Sequence, residues 1–307
     1  MPRVLFMLIL AACASAPAVA EINVGESIDW LVVSRKHAAI GSVAGVSEDV
    51  APGALWLDRT VELEVKETLR GEPPGRASFA WHVPSSTSGK AHGEVEMSPP
   101  AIGAEFLLFF GDEGAVEYAV DLAFPSNMMH GVVFSTDFGV LLTRDEILDA
   151  VQKRIERLAK EPPLVEPAGP DRRSFFEPPR GFLRLEVPED SPAFRALWSG
   201  SACYLIVPAD PEYLPGLIEE TRSENPWARA RAAWRLATYP GEETEKLLRG
   251  LLSDPGTSSV GASRGGESVE VEVFPVRQAA YEALVALGFK VDKPEGWSEA
   301  LEHHSFD

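Results

Sequence analysis

A candidate metal-binding group stands in the segment AHGEVEM, where His92, Glu94 and Glu96 occupy alternate positions. Alternate residues of a strand lie on one face, and imidazole with carboxylates is a ligand set that transition metals accept. A second acidic row lies nearer the C-terminus: Glu267, Glu270 and Glu272. Neither set has the spacing of an established metal motif. We therefore predict no metal ligands, and keep as the alternative function a metal-dependent enzyme or factor that uses these acidic strand faces with His92.

One residue could act as a catalytic nucleophile, Cys203 in GSACYLIV. A nucleophilic cysteine needs a nearby base and an electropositive, partly exposed site, whereas these apolar neighbours favour a buried thiol that packs as a small hydrophobe. Ser201 lacks the glycines of a nucleophile elbow, and we expect His303 and His304 to lie in a frayed terminus. We predict no catalytic residue, no cofactor-binding residue and no cofactor, and hence that the protein is not an enzyme.

The first twenty residues predict export. They combine Arg3, an apolar run over residues 4–12 and a small-residue end at residues 18–20, which is typical of a secretory signal peptide. Cleavage after Ala20 is one outcome. Residues 10–13 also resemble a lipobox, in which Cys13 would be acylated and the protein would be a membrane-attached lipoprotein. Both alternatives predict a periplasmic or extracellular location.

Composition excludes further classes of function. The chain has 28 basic and 47 acidic residues and a net charge of −19, so its surface repels nucleic acid. After the signal segment no apolar run reaches the roughly 18 residues of a membrane span. Outside that segment Cys203 is the single cysteine, and one thiol cannot form an intramolecular disulfide. We therefore expect the fold to depend on hydrophobic cores.

Residues 21–142 are predicted to form a small antiparallel β-barrel or sandwich. In TVELEVKE the apolar Val61, Leu63 and Val65 alternate with charged residues, so one face packs and the other meets water. The run FLLFF at residues 106–110 is apolar on both faces, which is typical of a central strand. Clusters of Gly, Pro and Ser separate several such short runs.

The order of these segments resembles the netrin-like group of OB-type barrels, which is related to the tissue inhibitors of metalloproteinases. The resemblance rests on a helix with a WLV run and on three further segments: residues 40–43, 61–71 and 103–110. Those inhibitors use a cysteine at the mature N-terminus to bind a catalytic zinc, whereas cleavage after Ala20 would leave Glu21 there. Their disulfides are also missing. The resemblance therefore implies an OB-like fold and no inhibitory activity.

Residues 143–181 are predicted to form a helix and a proline-rich linker. TRDE at residues 143–146 is a capping box, apolar residues then recur at helical spacing, and EPPLVEPAGPDRR ends the helix. Residues 182–208 follow as an extended capping segment, with two extended runs around one or two helical turns. We expect this segment to dock on the first helix pair of the C-terminal domain.

Residues 209–307 are predicted to form four helices, because the apolar period changes to 3.6. The fourth, FPVRQAAYEALVALG, opens at Pro275 and closes at Gly288. A shift of 48 residues superposes the second helix on the fourth and aligns three identical pairs: Arg229 with Arg277, Ala232 with Ala280 and Leu236 with Leu284. Both helices resemble the second helix of a HEAT unit, whose usual spacing is about 40 to 47 residues. The resemblance implies an α-α superhelix of about two helix pairs, with a Gly- and Ser-rich insertion that ends in a candidate strand, VEVEV.

The sequence thus predicts an α+β protein of two domains. Stacked helix pairs present an extended surface, so we expect a non-catalytic protein-binding or scaffold protein of the bacterial cell envelope, with a protein partner and no nucleic acid. Trp227, Arg231 and Arg235 are the candidate partner-binding residues, whereas Trp234 is expected to lie in the core. The oligomeric state stays open.

Overall fold

A computed structural model describes residues 23–49, 56–84, 100–123, 133–164, 181–197, 203–264 and 267–301. Several sequence predictions lie outside these ranges: the signal segment with Cys13 and Ala20, the group His92, Glu94 and Glu96, Ser201, most of the proline-rich linker, and the pair His303 and His304. Among the described helices, none has the length and apolarity that a membrane span requires.

The described residues form ten strands and seven α-helices. The strands are β1 (Asn23–Glu26), β2 (His37–Asp49), β3 (Trp56–Arg70), β4 (Arg76–Pro84), β5 (Glu105–Phe110), β6 (Val116–Asp121), β7 (Phe182–Glu186), β8 (Cys203–Pro208), β9 (Ser258–Arg264) and β10 (Glu267–Val273). The helices are α1 (Ile28–Ser34), α2 (Arg144–Lys160), α3 (Pro192–Leu197), α4 (Leu214–Glu220), α5 (Pro226–Arg235), α6 (Glu242–Leu251) and α7 (Pro275–Ala286). The predicted α+β class is confirmed.

The largest sheet is antiparallel and has the strand order β4-β3-β2-β5-β6. The interior strand β5, which lies between β2 and β6, is buried along Phe106–Phe110, as the apolar run predicted. The prediction of a closed barrel is wrong for the described residues, because β4 and β6 end the order and approach each other without a hydrogen-bonded ladder between them. Three register shifts in the β2–β3 pair accompany the long paired strands, and such irregularities bend and twist a sheet.

The two faces of this sheet build two separate cores. One face packs against α1 and α2 through residues such as Ile28, Ile40 and Ile147. The other face forms a core from the strands themselves, in which Phe79, Trp81 and Phe106 make aromatic contacts at centroid distances from 5.4 to 6.2 Å. The second face is therefore covered by residues of the same five strands, within a sheet that the described residues do not close into a barrel.

Capping residues determine where the two helices on this sheet, α1 and α2, begin. Ser27 caps α1 by accepting a hydrogen bond from the Trp30 amide at 3.1 Å. Thr143 and Glu146 form the predicted capping box at the start of α2, so that prediction is confirmed. At the other end of α1, the Arg70 guanidinium donates to the carbonyl oxygens of Val32 and Arg35. Strand β3 therefore holds the C-terminal end of α1.

A three-stranded sheet joins the beginning of the described chain to its second half. Strand β8 lies in the middle, parallel to β1 and antiparallel to β7. Residues 182–208 do contribute side chains to the C-terminal core, where Leu183, Leu205 and Val207 lie with helical residues. However, they also pair with β1, which the sequence did not predict. A parallel pair needs a long connection, and here it joins residues about 180 positions apart.

The C-terminal core lies between these strands and helices α4–α7. Helix α5 packs against α7, α4 against α5, and α6 against α7. Small residues form the α5–α7 contact, since Ala230, Ala233, Ala279 and Ala280 are all fully buried there. Strands β9 and β10 form a two-stranded antiparallel hairpin between α6 and α7, so the predicted VEVEV strand is confirmed and β9 was missed. Gly288 follows α7 with φ +86°, a conformation that favours glycine.

Candidate functional site

The most concentrated polar group among the described residues lies where the N-terminal sheet region meets the C-terminal half. Arg154 on α2 binds Asp210, which follows β8, through two parallel hydrogen bonds: Nη1 to Oδ2 at 2.9 Å and Nη2 to Oδ1 at 3.1 Å. Both residues are buried, with 3% and 8% of their surfaces exposed. A bidentate pair of this kind fixes both distance and orientation. It therefore locks α2 to the segment that leads into the helical region.

Further charged residues surround this pair, and we call the whole group the junction cluster: Asp29, Arg154, Arg157, Asp210, Glu212, Tyr213 and Tyr239. Arg157 Nη1 lies 3.2 Å from Asp210 Oδ2 and 3.8 Å from a Glu212 carboxylate oxygen. Asp29 on α1 lies 3.7 Å from Arg154 Nη1. The hydroxyl of Tyr239 donates to the Asp210 carbonyl oxygen at 3.0 Å. Two arginines thus face three carboxylates, and elements from both halves contribute.

Burial raises the pKa of three acidic groups in the junction cluster. Burial raises the pKa of Asp29, and the nearby Arg154 only partly offsets this. Burial and neighbouring carboxylates raise the pKa of Tyr213 to about 12 and that of Tyr239 still further above its ordinary value. Both phenols are therefore neutral at pH 7, and that of Tyr239 is the hydrogen-bond donor described above. The ion pairs and the Tyr239 hydrogen bond join α1 and α2 to the segment after β8, so the cluster holds these elements together.

A second polar node ties the helices of the C-terminal region. Asp254, in the turn after α6, accepts two hydrogen bonds from Arg229 of α5, at 2.7 and 3.0 Å. The Asp254 carbonyl oxygen accepts a third, at 2.7 Å, from Arg277 of α7. Arg229 and Arg277 are the two arginines that the 48-residue shift aligned. They converge on one residue, so three helices are connected at this point.

The three candidate partner-binding residues lie on α5 and are only partly buried. The Trp227 indole N–H donates to the Ser258 hydroxyl at 2.8 Å, which ties α5 to the hairpin. Arg231 lies 3.8 Å and Arg235 4.0 Å from Glu220 carboxylate oxygens, at the end of α4. The Arg231 side chain is 30% exposed, compared with 10% for Arg235. Of the two arginines, Arg231 is the one that a partner can reach.

The structure separates the other candidate residues from any common site. Cys203 is buried in the C-terminal core, as predicted, and this burial raises the pKa of its thiol. Glu270 and Glu272 share the exposed face of β10, whereas the Glu267 side chain lies outside the described part. Within the described ranges, no group of three or more His, Cys, Asp or Glu residues is placed to hold a metal ion.

A shallow groove lies after the end of α7, lined by Val285, Phe289, Lys290, Val291 and Asp292. Val285 is 48% exposed there, and the Arg249 guanidinium lies 5.7 Å from the centroid of the Phe289 ring. Its lining combines three apolar residues with two oppositely charged ones, Lys290 and Asp292.

Sequence reasoning missed the junction cluster. Arg154 stands among charged residues of α2, and Asp210 follows Pro208 in an ordinary PAD segment, so neither is marked by a motif. The one available signal was position: Arg154 lies three residues after Val151 and one before Ile155, which places it next to the apolar stripe of α2. No protein family model, curated protein or solved structure matches the chain.

Proposed function

We propose that this protein is a non-catalytic binding or scaffold protein of the bacterial envelope, which holds a protein partner on its helical region. The observation that carries the proposal is the convergence of Arg229 and Arg277 on Asp254. Arg229, Arg277 and Asp254 connect α5, α6 and α7 to one another. The outer surface of these connected helices, which includes Arg231, is then available to a partner.

The finer fold assignments belong to the same proposal. We infer that α4–α5 and α6–α7 are two HEAT-like units, with the β9–β10 hairpin inserted in the second. The alanine contact between α5 and α7 and the matched arginines support this assignment. We infer that the N-terminal sheet is an OB-like barrel that stays open between β4 and β6. Its support is a five-stranded sheet with its own internal core.

Export and membrane attachment are part of the proposal and rest on the sequence alone. Cleavage after Ala20 gives a soluble envelope protein, whereas acylation of Cys13 gives a lipoprotein. The mass of the mature N-terminal peptide distinguishes the two, because an acylated peptide that begins at residue 13 differs from an unmodified one that begins at Glu21.

Capture of a partner by the full-length chain tests the binding function. Immobilised native protein should retain a defined envelope protein that excess soluble native protein displaces. Arg231→Glu should reduce this retention, because it reverses a charge on a partly exposed position of α5; the one ion pair that it breaks among the described residues is the 3.8 Å contact with Glu220. Arg144→Glu changes an arginine on α2 that is 43% exposed, compared with 30% for Arg231, so it is the control and should leave retention unchanged. Equal retention by both variants would contradict a helical binding surface.

The alternative function, a metal-dependent envelope enzyme or factor, places its main candidate ligands in residues 85–99, outside the described ranges. Metal analysis of the native protein tests it directly. A stoichiometric metal that is lost on His92→Ala would favour the alternative over the binding function.

A further inference from the structure

The β9–β10 hairpin is a sheet of only two strands. It runs in continuous register from the pair Val273 and Ser258 to the pair Glu267 and Arg264. Within the described residues β10 forms a ladder with β9 and with no other strand. Each strand therefore keeps one edge at which backbone N–H and C=O groups can accept another strand. Such an edge is a known template for binding an extended peptide.

The base of the hairpin is fixed to the helical region. Val273 at the end of β10 is fully buried, and Trp227 of α5 donates to Ser258 at the start of β9. The turn Glu299–Leu301 also lies near β10. An isolated two-stranded hairpin is marginally stable in water. These anchors hold its two strands in place from one end, so an added strand would meet an ordered template.

The two faces of the hairpin differ in chemistry. Val260 and Val271 are directly opposite each other and half-buried, with Val269 on the same side of β10. Glu270 and Glu272 lie on the opposite, exposed side. The exposed residues of β9 on that side, Ser259 and Gly261, carry no charge. The free edge of β10 therefore has an alternating pattern of carboxylates on one face and valines on the other, and the edge of β9 does not.

We propose that the free edge of β10 binds an extended segment of a partner protein in which basic and apolar residues alternate. Basic side chains two residues apart would lie opposite Glu270 and Glu272, because directly opposed residues of neighbouring strands share a face. The intervening apolar side chains would extend the surface of Val269 and Val271. This inference rests on the proposed binding function and names the chemistry of the partner.

Charge decides between this partner and a second copy of the chain. Pairing of β10 with another β10 would bring Glu270 and Glu272 close to their own equivalents, and like charges opposed across strands are destabilising. The chain also carries a net charge of −19, which opposes self-association and attracts basic partners. A basic segment is therefore the occupant that the edge favours.

The test uses the full-length protein and a synthetic peptide of alternating lysine and valine, capped at both ends. Its affinity is measured by fluorescence anisotropy for the native protein and for Glu270→Gln with Glu272→Gln. Two cross-strand charge pairs contribute roughly 0.2 to 1 kcal/mol each, so the double variant should bind about 2- to 30-fold more weakly. Glu242→Gln with Glu243→Gln, which removes two exposed carboxylates at the start of α6, is the charge-matched control and should change affinity much less.

Two further peptides test strand addition itself. The same peptide N-methylated on alternate residues loses the hydrogen bonds of one edge and should bind at least about tenfold more weakly. A peptide of the same composition with its lysines in one block keeps the charge and loses the alternation, and it should also bind weakly. Binding of the unmodified alternating peptide should slow amide hydrogen exchange in β10.

Three outcomes would overturn the inference: equal binding of the N-methylated and unmodified peptides, equal loss of affinity in both carboxylate variants, or dimerisation of the native protein that the Glu270→Gln and Glu272→Gln variant strengthens. The first two would indicate general electrostatic attraction, and the third a second copy as the occupant. Capture of a partner that responds to Arg231→Glu while the peptide fails to bind would remove this inference and leave the proposed function standing.

Discussion

The junction cluster and the β9–β10 hairpin use acidic side chains in opposite ways. Asp210 is buried, and its carboxylate is bound by Arg154 and Arg157. Glu270 and Glu272 lie exposed on a strand with one free edge in the described structure. A buried carboxylate that loses its cation is strongly destabilising, whereas an exposed one can be changed at little cost. The difference indicates which charges maintain the fold and which are available to a partner.

The largest effect is expected from Asp210→Ala. The change leaves Arg154 buried without its bidentate acceptor, and removal of one partner from a buried ion pair costs about 3 to 5 kcal/mol. Chemical denaturation should show this loss in the free energy of unfolding. The double variant Arg154→Met with Asp210→Leu should lose less, because neither member of the bidentate pair is left buried without the other. A loss under about 1 kcal/mol for Asp210→Ala would mean that water already screens the pair.

Replacing Arg229 should have the next largest effect. Arg229→Ala removes two hydrogen bonds to the Asp254 carboxylate and one to each of the Ser223 and Glu224 carbonyl oxygens. Charged hydrogen bonds contribute about 1.5 to 3 kcal/mol each at most, and the sum is partly offset by rehydration, so we expect a loss of about 2 to 3 kcal/mol. Arg222→Ala, an exposed arginine just before α5, is the control and should change stability little.

The effect should also be local. Because Asp254 connects α5 to α7 through Arg277, hydrogen exchange in α7 should accelerate in Arg229→Ala more than exchange in α2. Uniform acceleration in both helices would contradict a separate role for this node in the helical region.

Asp29→Asn tests the electrostatics of the junction cluster. The folded-state pKa of Asp29 is raised above its ordinary value of 3.8. Its protonated form therefore contributes stability that is present below pH 3.8 and is lost as pH rises through the folded-state pKa. The variant does not titrate at this position. Its free energy of unfolding relative to the native chain should therefore rise as pH increases across this window, and urea denaturation at several pH values measures the trend.

Asp149→Asn, an exposed aspartate on α2, is the control for that series. Its stability relative to the native chain should depend far less on pH. A flat profile for Asp29→Asn would mean that Arg154 fully compensates the burial of Asp29.

The smallest change in stability is expected from Glu270→Gln with Glu272→Gln. Both side chains are exposed, and substitutions at such positions usually change stability by less than about 0.5 kcal/mol. The comparison between the two regions would fail if this variant were as destabilised as Asp210→Ala, because the hairpin carboxylates would then maintain the fold as well.

The fold could be predicted from sequence where the signal is local. Val61 and Leu63 alternate with charged residues and are buried in β3, and TRDE does cap α2. The pairing of β1 with β8 and the Arg154–Asp210 contact join positions far apart in the chain. Such contacts depend on how separate elements pack, and no local spacing encodes them. The strand β10 was predicted from VEVEV, but nothing in the sequence indicated that one of its edges has no ladder partner among the described residues.

Site-specific photo-crosslinking in cells tests the central claim most directly. A photoreactive residue would replace Glu219 on α4, Glu243 on α6 or Glu270 on β10, all exposed, and Asp149 on α2 or Glu64 on β3 as matched positions in the N-terminal region. We expect discrete adducts with one envelope protein from the three C-terminal positions. Asp149 and Glu64 should give no adduct of comparable yield. Adducts from Asp149 or Glu64 alone would contradict the claim.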